Sequence, residues 1–151
     1  MKNIKRIALV AHDNRKKDLL DWIEINAEII SNQELTCTGT TGSLVENLLS
    51  KKAPKSLKLR KLKSGPLGGD QQLGSLIATG NIDIIIFFWD PMQPQPHDVD
   101  VKALLRIAVL YNVPMACNRS TADFVISSNF FEGEYKPKLK DYSTYLDRDI
   151  E

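Results

Sequence analysis

The stretch NIDIIIFFWD, residues 81–90, decides the architecture. From Ile84 to Trp89 it is apolar without a break. A strand with one wet face alternates apolar and polar residues. One that is apolar throughout suits the middle of a parallel sheet whose two faces are both covered by helices. The run is far too short to cross a bilayer. RIALVAH, residues 6–12, has the same character. Outward from these two, ELTCTGT (34–40) and LKLRKLKSG (57–65) alternate only in part and read as strands nearer an edge. VPMACN (113–118) completes a set of five. Helical patterns lie between. In residues 18–30, Leu19, Leu20, Ile23, Ala27 and Ile30 fall near one face. In residues 100–112, Val101, Leu104, Leu105 and Ala108 do the same. Strand and helix alternate, so the class is α/β with a mostly parallel five-stranded sheet.

Composition narrows the rest. A length of 151 residues fits one domain with one substantial core, and residues 1–151 are not divided. A formal net charge of +1 gives no general reason to expect nucleic acid as a partner. The N-terminal run turns polar too soon for a signal peptide, so no membrane partner is expected. Cys37 and Cys117 sit in apolar runs and read as small buried thiols rather than a disulfide framework, which places the chain in a reducing cytoplasm. Lys51 to Lys63 carries seven basic residues and no acid. It reads as a solvated loop and edge strand; RNA binding would call for stacking aromatics, and this stretch has none. The last 22 residues, from Phe130, read as a packed tail.

In open α/β sheets, ligands bind beyond the carboxyl ends of the strands. HDNRKK follows the first strand, TGTTG the second, SGPLGGD the third and DPMQPQPHDVD the fourth. All four ends release small, hydroxylated or ionisable residues. TGTTG, Thr38 to Gly42, opens a helix, where outward N–H groups, threonine hydroxyls and the helix dipole make an anion cradle; threonines there also serve as plain helix caps. No Gly-Lys-Thr follows, so it is not a triphosphate loop. Lys16 could add a counter-charge. Three prolines stiffen the loop around His97, although Asp98 or Asp100 could be a cap with His97 incidental. In SGPLGGDQQ, glycines 65, 68 and 69 let a ligand approach the backbone beside Asp70, which could otherwise be a helix cap. No Cys/His spacing suits zinc, and no Gly-x-Ser-x-Gly elbow is present. A carboxylate, a stiffened imidazole and an anion cradle together suit enolisation of a small phosphorylated carbonyl compound.

LVAHDNRK, TGTTG, SGPLGGDQQLG, FFWDPMQPQPHDVDVKALLR, NVPMACNRSTADF and DYSTYLDR together resemble the methylglyoxal synthase family, from Arg6 to Arg148. SGPLGGDQQ and PHDVDVKALLR are the specific elements; Val99 stands where the family pattern has proline. The resemblance implies a single doubly wound, Rossmann-like domain and a homohexamer without metal or organic cofactor. It implies conversion of dihydroxyacetone phosphate to methylglyoxal and inorganic phosphate, with phosphate also acting as an allosteric inhibitor. Under it Asp70 is the base, His97 contacts the enediolate oxygens and Asp100 orients their loop. Lys16, Thr38, Gly39, Thr40, Thr41, Ser64 and Gly65 hold the phosphate or its neighbours. His12 lies near the substrate beside Asp13, and Arg148 reaches a neighbouring subunit's phosphate site. The competing expectation is a regulatory, small-anion-binding module of the same fold, which would have no use for Asp70 and His97 together.

Overall fold

The computed structural model describes residues 1–52 and 57–147. Five strands form one sheet: β1 Arg6–Ala11, β2 Glu34–Cys37, β3 Lys58–Lys61, β4 Ile84–Phe88 and β5 Met115–Ala116. Their spatial order is β3-β2-β1-β4-β5 and every pairing is parallel. The helices are α1 Lys16–Ile25, α2 Ala27–Ser31, α3 Gly39–Lys52, α4 Gly69–Ala78, α5 Asp98–Leu110, α6 Arg119–Ile126, α7 Asn129–Glu132 and α8 Ser143–Leu146.

The two wholly apolar runs lie side by side at the centre, in register from Ile7 opposite Ile84 to Ala11 opposite Phe88. The pleat sends alternate residues to opposite faces. Ile7, Leu9, Ile84, Ile86 and Phe88 join α1, α3 and α6 through Trp22, Ile23, Val45, Leu49 and Ala122. Ala8, Val10, Ile85 and Phe87 join α4 and α5 through Leu73, Ile77, Val101 and Leu104. Helices on both faces, with strand order turning at β1, make the sheet doubly wound. A parallel sheet directs every carboxyl end one way, so the loops after β1 to β4 open on the same side of the molecule.

The helix expected across residues 18–30 is two helices. Asn26 interrupts it: its side-chain Nδ2 donates to the Trp22 carbonyl at 2.8 Å, and its backbone N–H donates to the same oxygen at 3.2 Å. Asparagine competes for backbone groups in this way and tends to end helices. Trp22, absent from the expected stripe, is fully buried and donates from Nε1 to Asp123 Oδ1 at 2.8 Å.

The start of the tail is packed. Phe131 is buried, and the N-terminal ammonium donates to the Tyr135 carbonyl at 2.7 Å. The fully buried Lys5 donates from Nζ to the Lys2 and Gly133 carbonyls. Further along the tail, Tyr142, Tyr145 and Leu146 are exposed on this chain. The basic segment is matched by acids on neighbouring elements: Lys52 with Glu24, Lys58 with Glu34 and Lys61 with Glu46, at 2.9, 3.2 and 2.6 Å. Exposed pairs of this kind contribute roughly 0.2–1 kcal/mol each. β3 thus stands as a charged outer strand, and at the other margin β5 is a two-residue strand directly after Pro114. Among the described residues, no helix is long and apolar enough to cross a membrane.

Candidate active site

The loops after the first four strands meet in one cavity. It is lined by His12, Asp13 and Lys16 after β1, and Thr38 to Thr41 after β2. Ser64, Gly65 and Pro66 follow β3, and Gln95 and His97 follow β4. Lys16, the first residue of α1, donates from Nζ to Asp13 Oδ1 and to Thr40 Oγ1, each at 2.5 Å. It is therefore held over the N-terminus of α3, where the helix dipole adds positive potential. Thr38 and Thr41 are buried despite their hydroxyls, at 6% and 2% exposure.

SGPLGGDQQ explains its glycines here. Gly68, at φ +98°, is the hinge between a short 3-10 turn (Gly65–Leu67) and α4. A Cβ on Gly69 would stand 2.0 Å from the Lys63 carbonyl oxygen, so only glycine lets the helix start so close to the preceding loop. A Cβ on Gly65 would lie 2.8 Å from His97 Nε2 and 3.0 Å from Asp70 Oδ2. Gly65 is bare because its α-carbon is laid against those two groups. Gly68 occupies the cap position of α4. Asp70 therefore lies within the first turn, and its carboxylate is buried rather than capping the helix.

His97 is likewise at the cap position of α5 without a side-chain cap bond. Of the two residues expected as possible caps, Asp98 accepts from the Gln95 N–H at 3.1 Å and lies inside the helix. His97 Nε2 stands 3.6 Å from Asp70 Oδ2, both groups being almost fully buried. The Asp70 Oδ2, His97 Nδ1 and His12 Nε2 atoms are all buried without a hydrogen-bond partner. Folded proteins pair nearly all buried polar atoms, so unpaired ones gathered in one place indicate a site prepared for a polar ligand.

The protonation states follow from the surroundings. His12 Nδ1 accepts from the Asp90 N–H at 3.1 Å, which puts the ring proton on Nε2. Burial, followed by the nearby His97, holds the His12 pKa below its ordinary value. His12 is thus a neutral ring with an N–H donor in reserve. Burial pushes the Asp70 pKa above the usual carboxylate range; His97 opposes this and the Asp100 charge adds to it. A carboxyl so raised is a stronger base when ionised. Burial also pushes the Cys37 thiol up to about 12 and raises that of Cys117, which suits inert thiols.

Of the residues singled out from the sequence, His12, Lys16, Thr38, Gly39, Thr40, Thr41, Ser64, Gly65 and His97 line the cavity, and Asp70 adjoins it through Gly65 and His97. Asp100 does not line it. It borders a separate cleft between α4 and α5 with Asp70, Gln71 and Gly74, and reaches Asp70 through its charge. Its backbone N–H donates to the His97 carbonyl at 2.9 Å. Arg148 lies outside the described residues. Gln95, Pro66 and Asp90 were missed. A glutamine in a proline-framed loop and a proline carry no distinguishing chemistry, and Asp90 acts on His12 through its backbone. Among the described residues, no group of three or more His, Cys, Asp or Glu side chains is placed to hold a metal ion.

The MGS-like domain family matches residues 18–117. A methylglyoxal synthase of Maridesulfovibrio salexigens is 58% identical over 99% of this chain and 100% of its own length. One of Leptospira interrogans is 58% identical over 97% of this chain and 95% of its own. The crystal structure of methylglyoxal synthase from Elizabethkingia anophelis superposes with a TM-score of 0.89 at 50% identity, covering 100% of this chain and 95% of that one. Similarity at this level over the whole length leaves one conclusion: the chain belongs to the methylglyoxal synthase family.

Proposed function

We propose that this chain is a lyase that converts dihydroxyacetone phosphate to methylglyoxal and inorganic phosphate. The observation that carries this reading is the buried Asp70 carboxylate beside His97, with both groups pressed against Gly65 at the edge of an anion cradle. A module that only bound a small anion would gain nothing from a buried carboxylate there, because it would repel the ligand.

The phosphate sits over the N-terminus of α3, held by Lys16, Thr38, Gly39, Thr40, Thr41 and Ser64. Asp70 takes a proton from the hydroxymethyl carbon of the substrate. The electron pair left behind moves toward the carbonyl oxygen and forms an enediolate. The neutral His12 Nε2–H and the His97 ring hydrogen-bond the developing charge. The hydroxyl on the deprotonated carbon passes its proton to the neighbouring enediolate oxygen, and its electrons, moving through the double bond, expel phosphate by breaking the carbon–oxygen bond. The enol left behind gains a proton at its terminal carbon, loses its hydroxyl proton and becomes methylglyoxal. Expulsion requires the carbon–oxygen bond to stand perpendicular to the enediolate plane. In the plane, the intermediate persists and reprotonates to a triose phosphate. The cradle therefore fixes a torsion as well as a charge, which calls for several donors on one phosphate.

The direct experiment is to incubate the purified protein with dihydroxyacetone phosphate and measure methylglyoxal and inorganic phosphate. Equal amounts of both are expected, and the absence of both overturns the reading.

Asp100 contributes through its charge. The acid limb of kcat/KM follows ionisation of the base in the free enzyme. Asp100 raises the Asp70 pKa, so Asp100→Asn lowers it and moves the acid limb to lower pH, with a slower plateau because the base is weaker. A pH–rate profile for the variant checks this. A slower plateau with the limb unmoved would leave Asp100 only a role in holding the loop.

The protein also works as a cytoplasmic homohexamer in which Arg148 of one subunit reaches the phosphate site of the next and makes phosphate an allosteric inhibitor. The exposed Tyr142, Tyr145 and Leu146 just before it support this, since an apolar set uncovered on one chain suits a neighbour's surface. Arg148→Ala is expected to leave the assembly intact by light scattering and to flatten the phosphate inhibition curve. A monomeric wild type, or superimposable curves, would refute the cross-subunit role.

A further inference from the structure

We infer that Gln72 is a positioning residue for phosphate elimination, tying the helix that carries Asp70 to the loop that grips the phosphate. The inference rests on the lyase reading above. Gln72 touches neither the cavity nor the core; it is exposed on α4, two residues beyond Asp70. Its Oε1 accepts from the Lys63 N–H at 2.8 Å. The Lys63 carbonyl in turn accepts from the N–H of Gly39, the first residue of α3, at 3.0 Å. Next in the chain, the Ser64 carbonyl accepts from the Gly69 N–H at 2.9 Å, at the start of α4.

One short backbone segment is thus fastened to two helix starts. One start bears the base. The other bears Thr40 and Thr41, expected to hold the phosphate. A Cβ on Gly39 would lie 2.9 Å from the Ser64 α-carbon, so segment and cradle are already at closest approach and can be displaced only by moving apart. Gln72 restrains that movement from the side of α4. The polar contact does not serve the core: Gln72 and Lys63 are both exposed, and water can replace either partner with little effect on folding.

The two chemical steps differ in their demands. Proton removal needs Asp70 near one carbon. Elimination also needs the phosphate held at one torsion relative to that carbon, so it depends on the distance between the two helix starts. A misplacement of about 1 Å can cost on the order of 10²-fold in rate. The Gly69 contact to Ser64 survives loss of Gln72, so the expected loss is smaller, about tenfold.

The test compares wild type, Gln72→Met and Gln72→Glu as full chains acting on dihydroxyacetone phosphate in deuterium oxide. Methionine keeps the length and loses the acceptor; glutamate keeps an acceptor at the same reach. Gln72→Met is expected to melt like wild type and to lose about tenfold in kcat for methylglyoxal with a smaller change in KM. It should also release more deuterated substrate and glyceraldehyde 3-phosphate per methylglyoxal formed. Gln72→Glu is expected to restore the wild-type product ratio. An unchanged ratio in Gln72→Met overturns the inference, as does a Gln72→Glu ratio as poor as that of Gln72→Met. Failure of Gln72→Met to fold also overturns it, since Gln72 would then be structural. A wild type with neither methylglyoxal nor deuterium exchange refutes the lyase reading itself, a result distinct from these.

Discussion

Asp70→Asn is expected to abolish methylglyoxal formation while leaving the folded state and phosphate affinity close to wild type. Asparagine matches aspartate in shape, and the buried site already holds Asp70 Oδ2 without a hydrogen bond, so no fold contact is lost there. What disappears is the capacity to accept a proton from carbon. General-base removal typically lowers the rate on the order of 10²–10⁴-fold. The upper part of that range applies, because His97, the imidazole 3.6 Å from Asp70 Oδ2, is assigned to the enediolate oxygens. Deuterium exchange should fall together with elimination, in contrast to the divergence expected for Gln72→Met. The melting temperature should hold or rise, since the amide relieves the burial of a carboxylate whose pKa is pushed up. Retention of more than about a tenth of wild-type kcat, in protein free of wild-type contamination, would remove Asp70 from the role of base.

Gly65→Ala should also be damaging, without replacing any ionisable group. The new methyl group would meet His97 Nε2 at 2.8 Å and Asp70 Oδ2 at 3.0 Å. Both separations are shorter than van der Waals contact, so the base, the imidazole or the loop must shift. Because the two groups belong to different helices, any adjustment changes their relation. A loss of about 10²-fold in kcat/KM is expected, on the same scale as a misplacement of about 1 Å. Overpacking of this kind also destabilises by roughly 1–3 kcal/mol, which a thermal melt reads independently. Kinetics within threefold of wild type would mean that Gly65 does not stand against the catalytic pair.

Most of the fold could be read from hydrophobic pattern. The runs at 6–12 and 81–90 are apolar on both faces because both faces are buried, and their central, parallel placement follows. The break at Asn26 escaped because the apolar stripe continues through it; a side chain turning back on its own carbonyls leaves no mark in a periodicity. The cavity was legible as a coincidence of four strand ends, each weak alone. Its inner order was not. From the sequence Asp70 could cap one helix and Asp98 or Asp100 another; the position of Gly68 puts Asp70 inside its helix. The second cleft that separates Asp100 from the cavity depends on how α4 packs on α5, which no local pattern encodes. Asp90 and Gln72 act through backbone N–H groups, and these are identical in every residue but proline.

The two margins of the sheet differ in chemistry and share an effect. An unpaired strand edge invites another chain to extend it, the first step toward fibrous aggregation. On one side β3 meets this with Lys58, Arg60 and Lys61, three charged side chains on a four-residue strand whose hydration an approaching copy would have to strip away. On the other, β5 offers only Met115 and Ala116 after a proline, too short a template to recruit a partner. Growth of the sheet from molecule to molecule is blocked in both directions. Contact between copies is thereby turned away from the sheet margins and toward the helices and loops.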